Sequence, residues 1–525
     1  MISSENTPTV SELIASGHAN MADFIAANAW EIPTHTAIVM ADREVSYAEF
    51  HDLVDRVAVG LQDDGFTVGD IAAIAAESSI EYLAAYMGVL RCGGAVAPLP
   101  VSVTPEAFAL MVADCGASHV FTDGKFPDLI NALAGENQPR IVFFGKPAGG
   151  ADFGEWAGEQ GCAPTPVSVG RDNWFNIIYS SGTTGTPKGI VQSHGMRWRH
   201  VSRGAAYLMD RSSVALASTP LYSNTTLVTV LPMLATGGTV ILMPKFDALQ
   251  FLQLCEKHQV THAMLVPVQY RRILNLPEFD TFDLSAFKLK LCTSAAFSAE
   301  LKAEVLERWP GGVIELYGMT EGGGSCMLAA HTYPDKLHTV GKPADGHDIR
   351  IIDENGQQLP PGATGEIVGR SSSMMEKYLN QPEKTRETEW IDPEGHRFIR
   401  TGDLGRFDDD GFLILSGRKK DMINSGGFNI YPSDLEAVLD EHESVLEVAV
   451  VGKTSEQWGE TPVAYVVLKG GAALTPEDLR SWANNRLGKN QRISEVHFVQ
   501  ALPRSAIGKV QKRELGGRDR QISQA

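Results

Sequence analysis

The run Tyr179-Ser180-Ser181-Gly182-Thr183-Thr184-Gly185-Thr186-Pro187-Lys188-Gly189 concentrates anion-binding chemistry in eleven residues. Its small residues let backbone N–H groups approach an anion, its hydroxyls donate more hydrogen bonds, and Lys188 supplies charge. These are the requirements of a polyphosphate cradle. A Walker loop is ruled out, because that motif needs Gly before the Lys and Ser or Thr after it, where Pro187 and Gly189 stand. A second segment, Tyr317-Gly318-Met319-Thr320-Glu321-Gly322-Gly323, joins an aromatic face suited to a planar base with a carboxylate suited to a hard cation. Thr401-Gly402-Asp403 is by itself a turn that carries a carboxylate, placed shortly before Gly417-Arg418. Two further segments carry cations beside glycines: the stretch from Gly417-Arg418-Lys419-Lys420 through Gly426-Gly427 to Pro432, and Pro503-Arg504-Ser505-Ala506-Ile507-Gly508-Lys509 near the C-terminus.

The elements that must position these residues alternate in type. Residues 71–76 read as a buried strand, 80–91 as a helix ended by Gly93-Gly94, and 95–99 as the next strand, which together make a βαβ unit. The pattern recurs at 214–243, and helix–strand pairs follow at 247–266 and 298–317. Repeated right-handed crossovers of this kind imply parallel sheets sandwiched by helices. The cradle follows the strand-like run 174–179. After about residue 341, short strands separated by turn clusters suggest a small antiparallel barrel over 340–417. From about residue 420 a smaller α+β portion begins. There Pro432 opens one helix, and Thr475 with Pro476 starts another. The expected fold is therefore α/β, with a large N-terminal domain (1–417) of two doubly wound subdomains plus the barrel, a hinge (418–421) and a small C-terminal α+β domain (422–525).

Composition narrows the function classes. The 525 residues predict two to four domains. A net charge of -19 gives no electrostatic basis for wrapping nucleic acid or an anionic membrane, so an anionic ligand must be held by local donors. Six scattered cysteines without a C-x-x-C pair indicate neither a zinc knuckle nor a secreted disulfide framework. With no signal-peptide pattern and no long apolar run, a cytoplasmic protein without an integral membrane segment is expected.

Taken in order, these motifs resemble the adenylate-forming superfamily of acyl-CoA and aryl-CoA synthetases, nonribosomal adenylation domains and beetle luciferases, and the resemblance spans nearly the whole chain. It implies ATP, Mg2+ and coenzyme A as cofactors and co-substrates. It assigns Ser180, Ser181, Gly182, Thr183, Thr184, Gly185 and Lys188 to the phosphates, and Tyr317 to stacking on adenine. Thr320 is placed at the α-phosphate and Glu321 at Mg2+. The small-residue turn Ser294-Ala295-Ala296, followed by Phe297 where relatives often have Pro, lies against adenine. Asp403 and Arg418 go to the ribose, Lys420 to the hinge, Gly426 and Gly427 to the thiol tunnel, and Lys509 to catalysis between carboxylate and α-phosphate. The segment Gly365-Glu366 supports the alignment only.

The activity implied by the resemblance is that of a two-step ligase. ATP and a carboxylic acid give an acyl-adenylate and pyrophosphate, and the CoA thiol then displaces AMP. The rivals are an adenylating enzyme that loads a carrier protein in trans, a luciferase-like oxygenase, and a non-catalytic nucleotide-binding homologue; a dehydrogenase is disfavoured because G-x-G-x-x-G is absent. The acyl pocket is expected around Tyr222, Ser223 and Asn224 and around Gly322 and Gly323, with Ser223 where many relatives carry His. These segments contain no basic residue, so a monocarboxylic acid with an apolar or aromatic tail, fatty or aryl, is expected. His194, Trp198, Arg199 and His200 read as a helix face beside the loop. Homo-oligomerisation is left open.

Overall fold

The computed structural model describes residues 7–135, 138–145, 151–180, 188–425, 428–488, 491–505 and 508–517. The chain divides into two compact units. One holds Met1–Leu337, Ala344–Asp348 and Arg370–Ile399; the other holds His338–Pro343, Ile349–Gly369 and Arg400–Ala525.

In the first unit, one sheet runs Lys377–Tyr378, Lys188–Ser193, Trp174–Ser180, Ala95–Pro98, Ile71–Ala75, His119–Thr122, Arg140–Phe143, Ala151–Asp152. Its middle strands are parallel. The crossover helix Ile80–Arg91 shows how sequence sets this layer. Ser79 accepts from Tyr82 N at the helix start, Gly93 turns the chain at φ 74°, and every residue from Tyr82 to Leu90 is buried. A helix apolar on all sides must be covered on all sides, as a crossover between layers is. A second sheet runs Arg43–Ser46, Thr36–Met40, Thr239–Leu242, Val214–Ala217, His262–Leu265, Leu289–Cys292, Gly312–Tyr317, Cys326–Ala329, again parallel through its centre. Both sheets contribute to one hydrophobic core, in which Tyr82 and Tyr86 pack with Leu227 and Leu231 of the helix Asn224–Ala235.

In the second unit, the stretch expected to be barrel-like is a sheet ordered Asp348–Ile352, Gly365–Arg370, Arg397–Phe407, with Leu413–Arg418 antiparallel to Arg397–Phe407. The small α+β portion is ordered Phe428–Ile430, Ile423–Ser425, Gly459–Leu468, Val445–Ser455, and Glu495–Phe498 runs parallel to Gly459–Leu468. Helices Pro432–Asp440 and Pro476–Asn484 cover one face of it: Leu435, Leu439, Leu479 and Ala483 bury against Ile423, Val450, Ala464 and Val466. Thr475 caps the second helix through Asp478 N, with Pro476 in its first turn. The doubly wound parallel layers and the smaller α+β portion expected from sequence are both found. No helix among the described residues is long and apolar enough to cross a membrane.

Candidate active site

The hairpin Trp174–Ser180 and Lys188–Ser193 closes with Ser180 paired to Lys188, so the eleven-residue run forms its connection. Ser181, Gly182, Thr183, Thr184 and Gly185 lie outside the described residues. Lys188 opens the second strand of the hairpin, with its Nζ 5.0 Å from the centre of the Tyr378 ring. Tyr378 is buried on the short strand paired to this hairpin, and its phenol donates to Glu321 Oε1 at 2.7 Å. Burial, and then the negative charge of Glu321, push the Tyr378 phenol far above the usual tyrosine range, so it remains a donor. Gln192 Nε2 donates to Thr320 O at 2.6 Å, and Met375 N donates to Glu321 O at 2.7 Å. Lys188, Thr320 and Glu321 are thereby drawn to this hairpin and to the short strand paired with it. Tyr378 and Gln192 are the positioning groups that motif reasoning missed. No spacing marks them, because only the sheet brings residue 378 beside residue 190.

The turn after Leu289–Cys292 carries Ser294 at φ 78°, a left-handed conformation uncommon for a non-glycine residue. Its hydroxyl bonds Thr225 Oγ1 at 2.7 Å, which ties the turn to the first turn of helix Asn224–Ala235. Ala295 and Ala296 follow, and Phe297 stacks on Tyr270 at 5.2 Å. Tyr317 ends its strand, partly buried and paired with Cys326. Ser223 acts as N-cap of Asn224–Ala235, accepting from Thr225 N. The buried Asn224 Oδ1 finds no partner among the described residues. Tyr222 is pushed up by burial, with Ser102 opposing. Gly322 and Gly323 adopt φ 76° and 82°, and a Cβ on Gly322 would stand 1.8 Å from Ser373 O, so no other residue fits there.

In the second unit, Asp403 and Arg418 face each other across adjacent strands, with Nε 3.1 Å from Oδ1. Lys509 sits in a tight turn in which Ser505 N donates to Lys509 O and Gly508 N to Ser505 O, both at 2.8 Å, while Gly508 takes φ 77°. Its amine lies within electrostatic range of Arg418, Asp403, Lys420 and Asp421. Crowding by protein, followed by Arg418, pushes it below the ordinary lysine range. Lys420 lies in the short helical turn Lys419–Asp421. Gly426 and Gly427 lie outside the described residues.

Residues 25–379 match the model of the AMP-binding enzyme family, and residues 434–509 match that of the AMP-binding enzyme C-terminal domain. The chain belongs to this family, the adenylate-forming group its motifs resemble. It is 33% identical to an indoleacetate–CoA ligase of Aromatoleum aromaticum over 94% of this chain and 97% of that one. It is 32% identical to a feruloyl-CoA synthase of an Amycolatopsis species over 92% and 96% respectively. Among solved structures, ATP-bound MatB from Rhodopseudomonas palustris superposes with a TM-score of 0.87 at 30% identity, covering 95% of this chain and 99% of that one.

Proposed function

We propose that the chain is an AMP-forming acid–CoA ligase that adenylates a carboxylic acid and passes the acyl group to the CoA thiol. The observation that carries this reading is the placement of Lys509 within the field of Asp403 and Arg418, about a hundred residues earlier in the chain. In this reading Asp403 and Arg418 bind the ribose, and the lysine beside them meets the sugar phosphate. A cation there opposes the repulsion between the attacking carboxylate and the α-phosphate, and it stabilises the charge that builds in the transition state. Within the first unit, Thr320 and Lys188 would supply donors to phosphate, and Tyr317 would offer an aromatic face to adenine. Glu321 fits an Mg2+ site: one carboxylate oxygen is held by Tyr378, and the other has no partner among the described residues. Mg2+ bound there would neutralise the departing pyrophosphate. Residues 1–417 would act as the large domain, 418–421 as the hinge about Lys420, and 422–525 as the mobile portion carrying Lys509. Gly426 and Gly427 would border the thiol's path.

The test is carboxylate-dependent exchange of labelled pyrophosphate into ATP, followed by CoA addition and mass analysis. Exchange with an acid panel, then an acyl-CoA thioester and AMP, is expected. Exchange without any thioester on adding CoA would overturn the assignment of the acceptor.

A further inference from the structure

The strands that flank the phosphate run are tied, at their loop ends, to a carboxylate that no motif contains. In the hairpin Trp174–Ser180 and Lys188–Ser193, Tyr179 pairs with Gly189, one step before Ser180 pairs with Lys188. A Cβ on Gly189 would stand 3.1 Å from Tyr179 Cζ, so the tyrosine ring lies over the glycine and a side chain there would press on it. Beyond the ring, the Tyr179 phenol donates to Asp114 Oδ2 at 2.6 Å. Burial, followed by Cys115 and Asp114, pushes this phenol far above the usual tyrosine range, so it stays a donor. The third strand converges on the same carboxylate. Leu379 N, just past the strand Lys377–Tyr378, donates to Gly189 O at 2.8 Å. Asn380 follows at φ 53°, and its Nδ2 donates to Asp114 Oδ1 at 3.1 Å and to Asp114 O at 2.9 Å.

Asp114 belongs to the helix Pro105–Cys115, which ends at Gly116 in the left-handed region at φ 64°. A carboxylate in the last turn of a helix opposes the helix dipole, and that turn carries no basic residue. An aspartate is therefore a poor choice there for the helix itself. Its two oxygens instead accept from partners 65 and 266 positions away in sequence. A hydrogen bond to an ionised acceptor is about twice as strong as one between neutral groups. Each partner leads to a residue of the site. Next to Tyr179 is Ser180, which pairs with Lys188, and two residues before Asn380 is Tyr378, whose phenol holds Glu321.

We infer that Asp114 is a positioning residue for ATP: through Tyr179 and Asn380 it fixes the strand ends from which Ser180 and Lys188 address the phosphates. The inference rests on the ligase reading and extends it to a group that acts only through other residues. Its effect belongs to the half-reaction that uses the polyphosphate. Once the acyl-adenylate has formed and pyrophosphate has left, transfer to the thiol no longer needs the clamp. Loosening such a clamp weakens ATP binding in the ground state and the transition state alike, which raises KM and spares kcat.

The experiment measures pyrophosphate exchange against ATP concentration, with an acid that wild type accepts, for wild type, Asp114→Asn, Asp114→Ala, Tyr179→Phe and the Asp114→Ala/Tyr179→Phe double variant. Thioester formation from chemically prepared acyl-adenylate and CoA is measured alongside. Tyr179→Phe keeps the ring over Gly189 and removes only the donor. KM for ATP should rise about tenfold in Tyr179→Phe and at least that much in Asp114→Ala, the scale of a hydrogen bond to a charged group. Asp114→Asn keeps an accepting oxygen and should raise it by only about threefold. KM for the acid and the rate of thioester formation should stay within about twofold of wild type. The double variant should match Asp114→Ala, because the second change removes a link already lost. Should Asp114→Ala not fold, Tyr179→Phe and Asp114→Asn decide the question through the same two half-reactions. An unchanged KM for ATP in Tyr179→Phe, additive losses in the double variant, or equal losses in both half-reactions overturn the inference and leave the ligase reading standing. If no acid supports exchange in wild type, the ligase reading itself falls, and the inference with it.

Discussion

Lys509 and Tyr378 carry the sharpest expectations at the scale of single residues. In the proposed reaction Lys509 is the cation that meets charge developing at phosphorus, and on that reading Lys509→Ala should lower pyrophosphate exchange by about 100- to 1,000-fold. ATP binding, measured by equilibrium titration, should change little. Crowding and Arg418 lower the Lys509 amine, and the protonated form is the useful one. Activity should therefore decline on the alkaline side at a pH below the ordinary lysine range; an alkaline limb at that range or above it would contradict the role. Tyr378→Phe keeps the ring under Lys188 but removes the donor to Glu321. Loss of a group that orients a metal ligand typically costs about 10- to 100-fold in metal affinity. The Mg2+ concentration for half-maximal exchange should rise on that scale, with a smaller change in rate at saturating Mg2+. A variant whose Mg2+ dependence matches wild type would show Tyr378 to be packing alone.

At the scale of elements, the strand Gly312–Tyr317 delivers Tyr317, Thr320 and Glu321 to the site, and its register is tied to a buried ion pair. Glu315 on this strand meets Lys302 of the helix Ala299–Arg308 at 2.5 Å, with side chains 5% and 2% exposed. Burial pushes Glu315 up to about 7 even though Lys302 opposes it. Lys302 Nζ also donates to Leu337 O at 2.7 Å. Glu315→Leu leaves an ammonium buried without its carboxylate and should cost about 3–5 kcal/mol in denaturant unfolding. Adding Lys302→Met should recover most of that loss. If the double variant is as unstable as the single one, the pair does not set the strand's stability.

For the whole molecule, the second unit places Lys509 and the Asp403–Arg418 pair together, and Lys420 occupies the turn between the sheet strand and the small α+β sheet. Proline at position 420 would fix φ near −65° and restrict the torsional change that a hinge requires. In Lys420→Pro, pyrophosphate exchange should stay within about fivefold of wild type. Thioester formation from preformed acyl-adenylate should fall by about 100-fold, the scale expected when a reacting group is held out of line. Equal losses in both half-reactions would argue against a hinge at Lys420.

The sequence by itself determined the parts whose cause is local. Hydrophobic runs and glycine stops specified the strands and helices, as at Ile80–Arg91, and Thr475 with Pro476 specified a helix start, because capping and burial act over a few residues. Motif strings identified the family, whose models match residues 25–379 and 434–509. Only the tertiary structure decided what stands behind those strings. Tyr378 reaches Glu321 through strand pairing across 57 positions of sequence, and Arg203 meets His347 across 144. Such contacts arise from packing between layers, where a side chain's partner depends on register and crossover geometry and not on its neighbours in the chain.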